Sequence, residues 1–214
     1  MVDRRKPTHK IDVDNSVYIS YAQNDVNNPH VADIVCRFVE LFKHLNINYR
    51  IDVENNDNSV YGFIEQFEKA KNIIIVLSDK YFRSRNCMIE WLNIQGDNEN
   101  KRIVYIKYDE EQVVLKNGVV LSQGFDLDNP DYVSLLEKVW EEKKIKWHNK
   151  TAKEQSSEIE KRNAKDNFYL SVFPTINNLI KNSVCYKTSV LNAEFDDVES
   201  NQPNIKQIIS SISS

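Results

Sequence analysis

The most restrictive feature of the sequence is residues 73–77, Ile-Ile-Ile-Val-Leu, an unbroken apolar run that enters a polar turn at Ser78 and Asp79. A strand that is apolar at every position is typical of the centre of a parallel sheet, where helices cover both faces. Parallel strands need long crossover connections, which are usually helical. The run therefore predicts an α/β fold, and polar residues after it fall at the rim where such folds bind ligands.

Strand-like and helix-like segments alternate along the first half of the chain. Four apolar runs are predicted strands, at 17–21, 47–52, 73–77 and 103–106. Three segments with apolar residues at helical spacing are predicted helices, at 31–45, 60–70 and 79–95. Residues 119–121, after a turn at Asn117-Gly118, are the candidate for a fifth strand. Short connections between these elements predict βαβ units in a doubly wound parallel sheet.

The character of the chain changes after Pro130. Residues 132–140 are amphipathic, 141–166 read as a long charged helix, and an apolar stripe resumes at 168–180, kinked or restarted at Pro174. A last short helix is predicted at 205–212. We therefore expect three parts: an N-terminal tail at 1–14, a core domain at 15–145, and a helical C-terminal extension at 146–214.

Charge and composition argue against several classes of partner. The formal net charge is −4, from 28 basic and 32 acidic residues, so neither nucleic acid nor an anionic membrane is an expected partner. No window is apolar enough to span a bilayer, and no apolar stretch follows the basic N-terminus as in a secretory signal. The three cysteines are widely spaced, which suits reduced thiols. A cytoplasmic protein is expected.

Motifs for nucleotide cofactors and metals are missing from the sequence. Its four glycines include no Gly-x-Gly, Gly-Lys-Ser or Gly-x-Ser-x-Gly arrangement. The acidic loop that begins at Asp52 has Asp57 where a calcium loop needs glycine, and Phe63 where it needs glutamate. The histidines and cysteines have no metal-ligand spacing. We expect no metal and no bound cofactor.

One acid stands out among apolar neighbours at the predicted rim. On a helical wheel Glu90 lies beside Ile94, at the edge of a buried arc that includes Cys87 and Trp91. Glu90 can lean into a cleft, or it can border the solvated face, and the residues alone leave both readings open. Cys87 is interpreted as a core thiol, because no His or Lys lies near it in sequence to lower its pKa.

Other candidate site residues follow the predicted strands. Tyr21, Ala22 and Gln23 come after the first strand, at the expected switch point of the sheet. Asp52 ends the second strand and Ser78 follows the third. Each has a structural alternative: Tyr21 can pack at the strand end, and Asp52 and Ser78 can cap neighbouring turns or helices.

Two motifs together resemble a known family, the Toll/interleukin-1 receptor (TIR) domain, and most closely its bacterial NADase-type branch. The first is the strand Tyr18-Ile19-Ser20-Tyr21. The second is a spaced set after the third strand: Ser78, Tyr81, Ser84, Cys87 and Glu90. The resemblance covers about residues 15–145 and implies a flavodoxin-like sheet of order 2-1-3-4-5. It also implies that loop 53–59 flanks a substrate cleft and mediates assembly.

The resemblance implies an activity as well. Many TIR domains hydrolyse or cyclise NAD by cutting the nicotinamide–ribose bond, and the glutamate they need matches Glu90. Tyr21, Ala22, Gln23, Asp52, Ser78 and Tyr81 are then expected to bind substrate. NAD is a substrate here, with no cofactor. A bacterial anti-phage role follows, in which NAD is depleted or an ADP-ribose-derived signal reaches a downstream effector protein.

Two other functions stay open at the level of sequence. One is a non-enzymatic TIR scaffold that acts through TIR–TIR assembly. The other is a different flavodoxin-like enzyme, such as a nucleoside deoxyribosyltransferase. Several active relatives carry Trp where this chain has Asn86, and Tyr81, Tyr61 or Trp91 are the candidates to replace it. Self-association is expected in either TIR reading.

Overall fold

The centre of the fold is a five-stranded parallel sheet with the strand order β2-β1-β3-β4-β7. The structure is a computed structural model and describes residues 15–22, 31–51, 70–95, 101–115, 117–151, 176–178, 180–197 and 201–213. The strands of the sheet are β1 (Val17–Tyr21), β2 (Tyr49–Ile51), β3 (Asn72–Leu77), β4 (Arg102–Lys107) and β7 (Cys185–Lys187). The predicted fold class, a flavodoxin-like doubly wound sheet, is confirmed.

Helices cover both faces of this sheet. In chain order they are α1 (Val31–His44), α2 (Asp79–Arg83), α3 (Arg85–Gln95), α4 (Pro130–Thr151), α5 (Thr188–Asp196) and α6 (Pro203–Ser213). Residues 176–178 and 180–182 are also helical. The predicted loop 53–59 and nearly all of predicted helix 60–70 lie outside the described residues, as does Pro174.

The side chains of β3 alternate between two cores, one on each face of the sheet. Ile73, Ile75 and Leu77 belong to a core with α2, α3 and α4, called here the α3 face. Ile74 and Val76 belong to a core with α1, α5 and α6, called the α1 face. All six residues of β3 are buried, which explains why the strand is apolar at nearly every position.

The fifth strand of the sheet is not residues 119–121, which were the candidate from the sequence. The fifth strand is β7, which pairs in parallel with β4 through Tyr105 and Cys185. Residues 119–121 are instead part of a separate two-stranded antiparallel hairpin, β5 (Val113–Val114) and β6 (Val120–Leu121). The Asn117-Gly118 turn closes this hairpin, with Gly118 at φ +82°. The local turn therefore decided the pairing of β6.

The last part of the chain packs on the sheet as part of the α1 face. Tyr186 of β7, Leu191 of α5 and Ile208 of α6 are buried in the same core as α1. Asp109, just after β4, accepts hydrogen bonds from the Thr188 hydroxyl at 3.0 Å and from the Ser189 backbone at 3.0 Å. The expected boundary between residues 145 and 146 falls inside α4, and the three-part division of the chain stays a prediction.

A single helix was expected at 79–95, and this expectation is wrong. The segment forms two helices, α2 and α3, separated at Ser84, whose backbone is extended with φ −85° and ψ 123°. Ser84 caps α3 because its side-chain oxygen accepts a hydrogen bond from the Cys87 backbone N–H at 3.4 Å. Glu90, Cys87 and Trp91 all lie in α3, after this break.

Candidate active site

Glu90 lies on α3 and points into the molecule toward β1. The residue is 5% exposed, so the reading in which it borders the solvated face is wrong. A carboxyl group this deeply buried needs polar partners, because an ionised group without them is costly away from water. The hydrogen-bond partners of Glu90 therefore define its environment.

The first partner is Ser20, near the carboxyl end of β1. The Ser20 hydroxyl donates a hydrogen bond to Glu90 Oε2 at 2.6 Å. The same Ser20 oxygen lies 3.0 Å from the Tyr81 phenol oxygen. Ser20 is 1% exposed and Tyr81 is fully buried. The three residues therefore form a buried hydrogen-bonded row that joins β1, α2 and α3.

Burial also controls the ionisation of Tyr81. Burial raises the pKa of Tyr81 well above its usual range, and electrostatic interactions with Cys87 and Glu90 raise it further. The hydrogen bond with Ser20 acts in the opposite direction but does not outweigh them. The phenol therefore keeps its proton at any physiological pH, and it stays a hydrogen-bond donor.

The three-residue spacing of the second sequence motif has a structural explanation. Ser78 precedes α2 and accepts a hydrogen bond from the Tyr81 backbone N–H at 3.2 Å. Ser84 does the same for the Cys87 backbone N–H at the start of α3. Each serine is thus an N-cap, and its partner is three residues later. Glu90 comes one step further along α3, where it reaches Ser20.

Helix α4 and the loop after β4 fix the position of α2. The Tyr132 hydroxyl donates to Asp79 Oδ1 at 3.0 Å, and the Trp140 indole N–H donates to the Phe82 carbonyl at 3.0 Å. The buried Glu111 accepts the Asp79 backbone N–H at 2.6 Å. These contacts lie at both ends of a helix only five residues long, so Tyr81 is held by more than the helix itself.

The contact between α3 and β1 continues beyond Glu90. Cys87 is 4% exposed, and its thiol donates to the Tyr21 carbonyl at 3.7 Å, so the first turn of α3 is attached to the end of β1. Cys87 lies in the core of the α3 face, as expected for a core thiol. Ser20 and Cys87 thus fix two points of contact between the same strand and the same helix.

The other expected substrate-binding residues are placed differently. Ala22 is buried on the α3 face, the same face as Glu90. Ser78 is fully buried and serves as the cap of α2, which was its structural alternative. The Tyr21 side chain packs on the α1 face, on the other side of the sheet. Gln23 and Asp52 lie outside the described residues.

Ser20 was not among the expected site residues, although it is part of the quoted strand motif. Alternate strand residues share a face, so Tyr18, Ser20 and Ala22 point the same way. A hydroxyl between two apolar side chains on a buried face needs a hydrogen-bond partner. This rule could have predicted from the sequence that Ser20 has a polar partner. It could not have identified the partner as Glu90, which is 70 residues away in sequence.

Asn86, which stands where several active relatives carry Trp, is exposed. Asn86 lies in the first turn of α3 on the solvent side. Trp91 and Tyr81, two of its suggested replacements, are buried in the core of the α3 face. Tyr61 lies outside the described residues. No aromatic ring among the described candidates is therefore exposed at the surface beside Asn86.

The arrangement holds the Glu90 carboxylate against a serine hydroxyl, and a phenol hydroxyl is bonded to that serine in turn. Glu90 accepts from Ser20, while Tyr81 supplies a neutral phenol behind it. A fixed carboxylate near the carboxyl end of a parallel strand can stabilise positive charge that develops on a bound sugar. Among the described residues, no group of three His, Cys, Asp or Glu side chains is arranged to hold a metal ion.

Fold and site together define a class of protein: a doubly wound α/β domain with the buried Glu90 carboxylate near the switch between β1 and β3. A family model for the TIR domain (TIR_2) matches residues 17–142, more than half of the 214 residues. The chain belongs to the TIR domain family. The resemblance expected from the two motifs is thereby confirmed at the level of the family.

Solved structures agree on the fold. One match is a chain from the structure of the activated Roq1 resistosome directly recognizing the pathogen effector XopQ (TIR domains). It is 14% identical to this chain, with a TM-score of 0.51, and the match covers 92% of this chain and 98% of the other. The shared fold therefore extends past residue 142. A search of curated proteins found no match.

The described helices do not meet the requirements for membrane insertion. A bilayer span needs about 20 mostly apolar residues in one helix. Within the described parts of the chain, no helix combines that length with sufficient hydropathy.

Proposed function

We propose that this protein cleaves NAD at the bond between nicotinamide and ribose, with Glu90 as its catalytic residue. The observation that carries this proposal is the Glu90 carboxylate, 5% exposed and held at 2.6 Å by Ser20 near the carboxyl end of β1. Membership of the TIR family supports the assignment, because many TIR domains cleave this bond and their essential glutamate matches Glu90.

The chemistry explains why one carboxylate is sufficient. Most glycosidases need two carboxyl groups, since a sugar leaving group must be protonated while a second group assists at the anomeric carbon. Nicotinamide leaves NAD as a neutral molecule from a cationic pyridinium, so no general acid is required. The ionised Glu90 then stabilises the oxocarbenium-like charge on ribose. Water adds to the anomeric carbon and loses a proton in hydrolysis, and a nucleophilic atom of the same molecule adds to it in cyclisation.

The biological setting is part of the same proposal. The protein acts in bacterial anti-phage immunity, where cleavage either depletes NAD or yields an ADP-ribose-derived signal for a downstream effector. One structural neighbour belongs to a resistosome that recognises a pathogen effector, which supports an immune role. Self-association through the TIR domain is expected to accompany activity. We also expect the protein to act in the cytoplasm.

The direct test is nicotinamide release from NAD by the purified full-length chain, compared with Glu90→Gln. This substitution keeps the shape of the side chain and removes its charge, so release is expected to fall by about 100-fold or more. Glu137→Gln is the matched control, because Glu137 is an exposed residue of α4, and it is expected to keep wild-type activity. Products are separated by chromatography to distinguish hydrolysis from cyclisation.

Assembly must be controlled in this assay. The wild type is measured over a range of protein concentrations and with a crowding agent, since activity that needs two protomers rises faster than protein concentration. Nicotinamide release at the wild-type rate from Glu90→Gln would remove Glu90 from the mechanism. Turnover of nucleosides without turnover of NAD would favour the deoxyribosyltransferase alternative.

A second candidate function is a non-enzymatic TIR scaffold. The observation in its favour is Asn86, an exposed amide where several active relatives carry an aromatic ring. A scaffold would release no nicotinamide under any assembly condition, while Glu90→Gln would leave self-association unchanged. Sedimentation of both proteins, in parallel with the NAD assay, separates this candidate from the enzyme.

A further inference from the structure

The row of hydrogen bonds behind Glu90 has a fixed direction. An ionised carboxylate only accepts hydrogen bonds, and a serine hydroxyl has a single proton to donate. Because that proton goes to Glu90 Oε2 at 2.6 Å, Ser20 must accept the bond that it shares with Tyr81 at 3.0 Å. The phenol therefore donates to the serine, and the serine donates to the carboxylate.

This row is protected from water and attached to rigid elements. Ser20 and Tyr81 are 1% and 0% exposed, so water does not compete for their hydrogen bonds. Ser20 belongs to β1, which is hydrogen-bonded to a strand on each side. Tyr81 belongs to α2, which Tyr132 and Trp140 fasten to α4. A side chain held in this way keeps one orientation.

The row constrains one oxygen of the carboxylate. Glu90 Oε2 is bonded to the protein through Ser20, and a carboxyl group with one oxygen fixed has little freedom to rotate. Rotation matters for catalysis, because small misplacements of a catalytic group reduce the rate by large factors. The donated bond also favours the ionised form of the carboxylate, which is the form that stabilises positive charge.

We propose that Ser20, backed by Tyr81, is a positioning residue that fixes the orientation of the Glu90 carboxylate toward the ribose of the substrate. This inference rests on the proposed function, in which Glu90 contacts the sugar. Ser20 acts through Glu90 and does not itself touch the reacting atoms. Its removal should therefore lower kcat and leave KM nearly unchanged.

The kinetic test uses Ser20→Ala and Ser20→Thr in the full-length chain. Loss of a hydrogen bond to a charged group is expected to lower kcat by about 10- to 100-fold in Ser20→Ala. KM should stay within about threefold, because the ground-state contacts to NAD are untouched. Ser20→Thr keeps the hydroxyl and is expected to recover most of the rate. A rise in KM with kcat unchanged would overturn the inference.

Tyr81→Phe tests the second member of the row and also serves if Ser20→Ala does not fold. It removes only the phenol oxygen and is expected to lower kcat by about two- to fivefold, since the lost bond is neutral. Tyr81 acts through Ser20, so Tyr81→Phe should cause no further loss of kcat in the Ser20→Ala background. Independent, multiplying losses would contradict a single row.

A third readout needs no NAD and separates this inference from the proposed function. Glutamate labelled at the carboxyl carbon is followed by NMR as pH changes, and the Glu90 signal is assigned by its absence in Glu90→Gln. Its titration midpoint should rise in Ser20→Ala and return in Ser20→Thr. The titratable groups coupled to Tyr81, namely Cys87, Glu90 and Tyr105, are unchanged in both variants.

The outcomes distinguish the two proposals. A shifted midpoint in a protein that never cleaves NAD would refute the proposed function and leave the orientation of Glu90 by Ser20 supported. Normal NAD cleavage by Ser20→Ala, together with an unshifted midpoint, would refute the role of Ser20 and leave the function of Glu90 supported.

Discussion

At the scale of single residues, two glycines in the same region have the same backbone conformation for different reasons. Gly118 has φ +82° in the turn of the β5–β6 hairpin, with open space around it. Gly124 has φ +75°, and a Cβ added there would come within 2.5 Å of the Tyr108 carbonyl oxygen. Its backbone N–H also donates to the Glu111 carbonyl at 2.9 Å. Gly124 therefore lets the chain pass close to the loop whose Glu111 accepts the Asp79 backbone N–H.

Substitution of these glycines should separate backbone strain from overpacking. Gly118→Ala is expected to lower the free energy of unfolding by about 1 kcal/mol, from the left-handed φ alone. Gly124→Ala adds the clash with Tyr108 and should cost about 2–4 kcal/mol. Urea unfolding of both variants measures the difference. Equal losses would show that the contact at Gly124 relaxes freely.

Ser20 and Glu90 show why the sequence predicts one residue of a site and not another. The motif containing Glu90 was visible because its members are three residues apart, which is the separation between an N-cap serine and its partner. Ser20 is joined to Glu90 across 70 residues, and no local spacing relates the two. Only the packing of α3 on β1 brings the hydroxyl to the carboxylate.

At the scale of elements, the junction between β4 and α5 connects the first part of the chain to the last. Asp109 follows β4 and accepts hydrogen bonds from Thr188 and Ser189 at the start of α5, including the Ser189 hydroxyl at 2.7 Å. Burial opposes the ionisation of Asp109, but these donors outweigh it and lower the pKa of the carboxyl. A negative charge at a helix N-terminus is also favourable.

The lowered pKa of Asp109 gives a pH-dependent contribution to stability. A group whose pKa is lower in the folded state stabilises the fold above its unfolded pKa, near 4, and loses that effect as pH falls through the folded pKa. Asp109→Asn should therefore cost about 1–2 kcal/mol at pH 7. The difference from wild type should shrink below about pH 4. Urea unfolding at several pH values provides the measurement.

Asp196→Asn is the control for that experiment. Asp196 forms a 2.6 Å ion pair with Arg37, but its side chain is 66% exposed. An exposed pair contributes about 0–1 kcal/mol, so this variant should behave nearly as wild type. An equal loss in both variants would mean that surface charge in general, not the capping of α5 by Asp109, causes the effect.

At the scale of the whole molecule, the two cores are joined by one sheet whose central strands contribute to both faces. The α1 face includes residues from β1, β3, β7 and α6. The α3 face includes Trp91 and Trp140, on the opposite side of the same strands. Helix α6 therefore belongs to the same core as β1, the strand that carries Ser20.

This arrangement predicts that damage to one face destabilises the other. Ile208, in α6, is fully buried, and Ile208→Ala should cost about 2–4 kcal/mol. The fluorescence of tryptophans on the α3 face should report the same lowered urea midpoint as circular dichroism. Ile209 is only partly buried in the same core, and Ile209→Ala should cost less, about 1 kcal/mol.

Independent unfolding of the C-terminal segment would give a different result. If the C-terminal segment were an independent unit, Ile208→Ala would lower the midpoint measured by circular dichroism and leave the tryptophan midpoint in place. Two separate transitions of this kind would contradict a single cooperative fold.

The sequence by itself determined the α/β class, the four strands β1 to β4 and the polar motif that ends at Glu90. These features are local: apolar runs, helical spacing and serine caps depend on neighbours within a few residues. The tertiary structure alone decided that β7 completes the sheet, because three residues are too few to show a strand pattern. It also decided that Ser20 holds Glu90, since distant segments meet only when the cores pack.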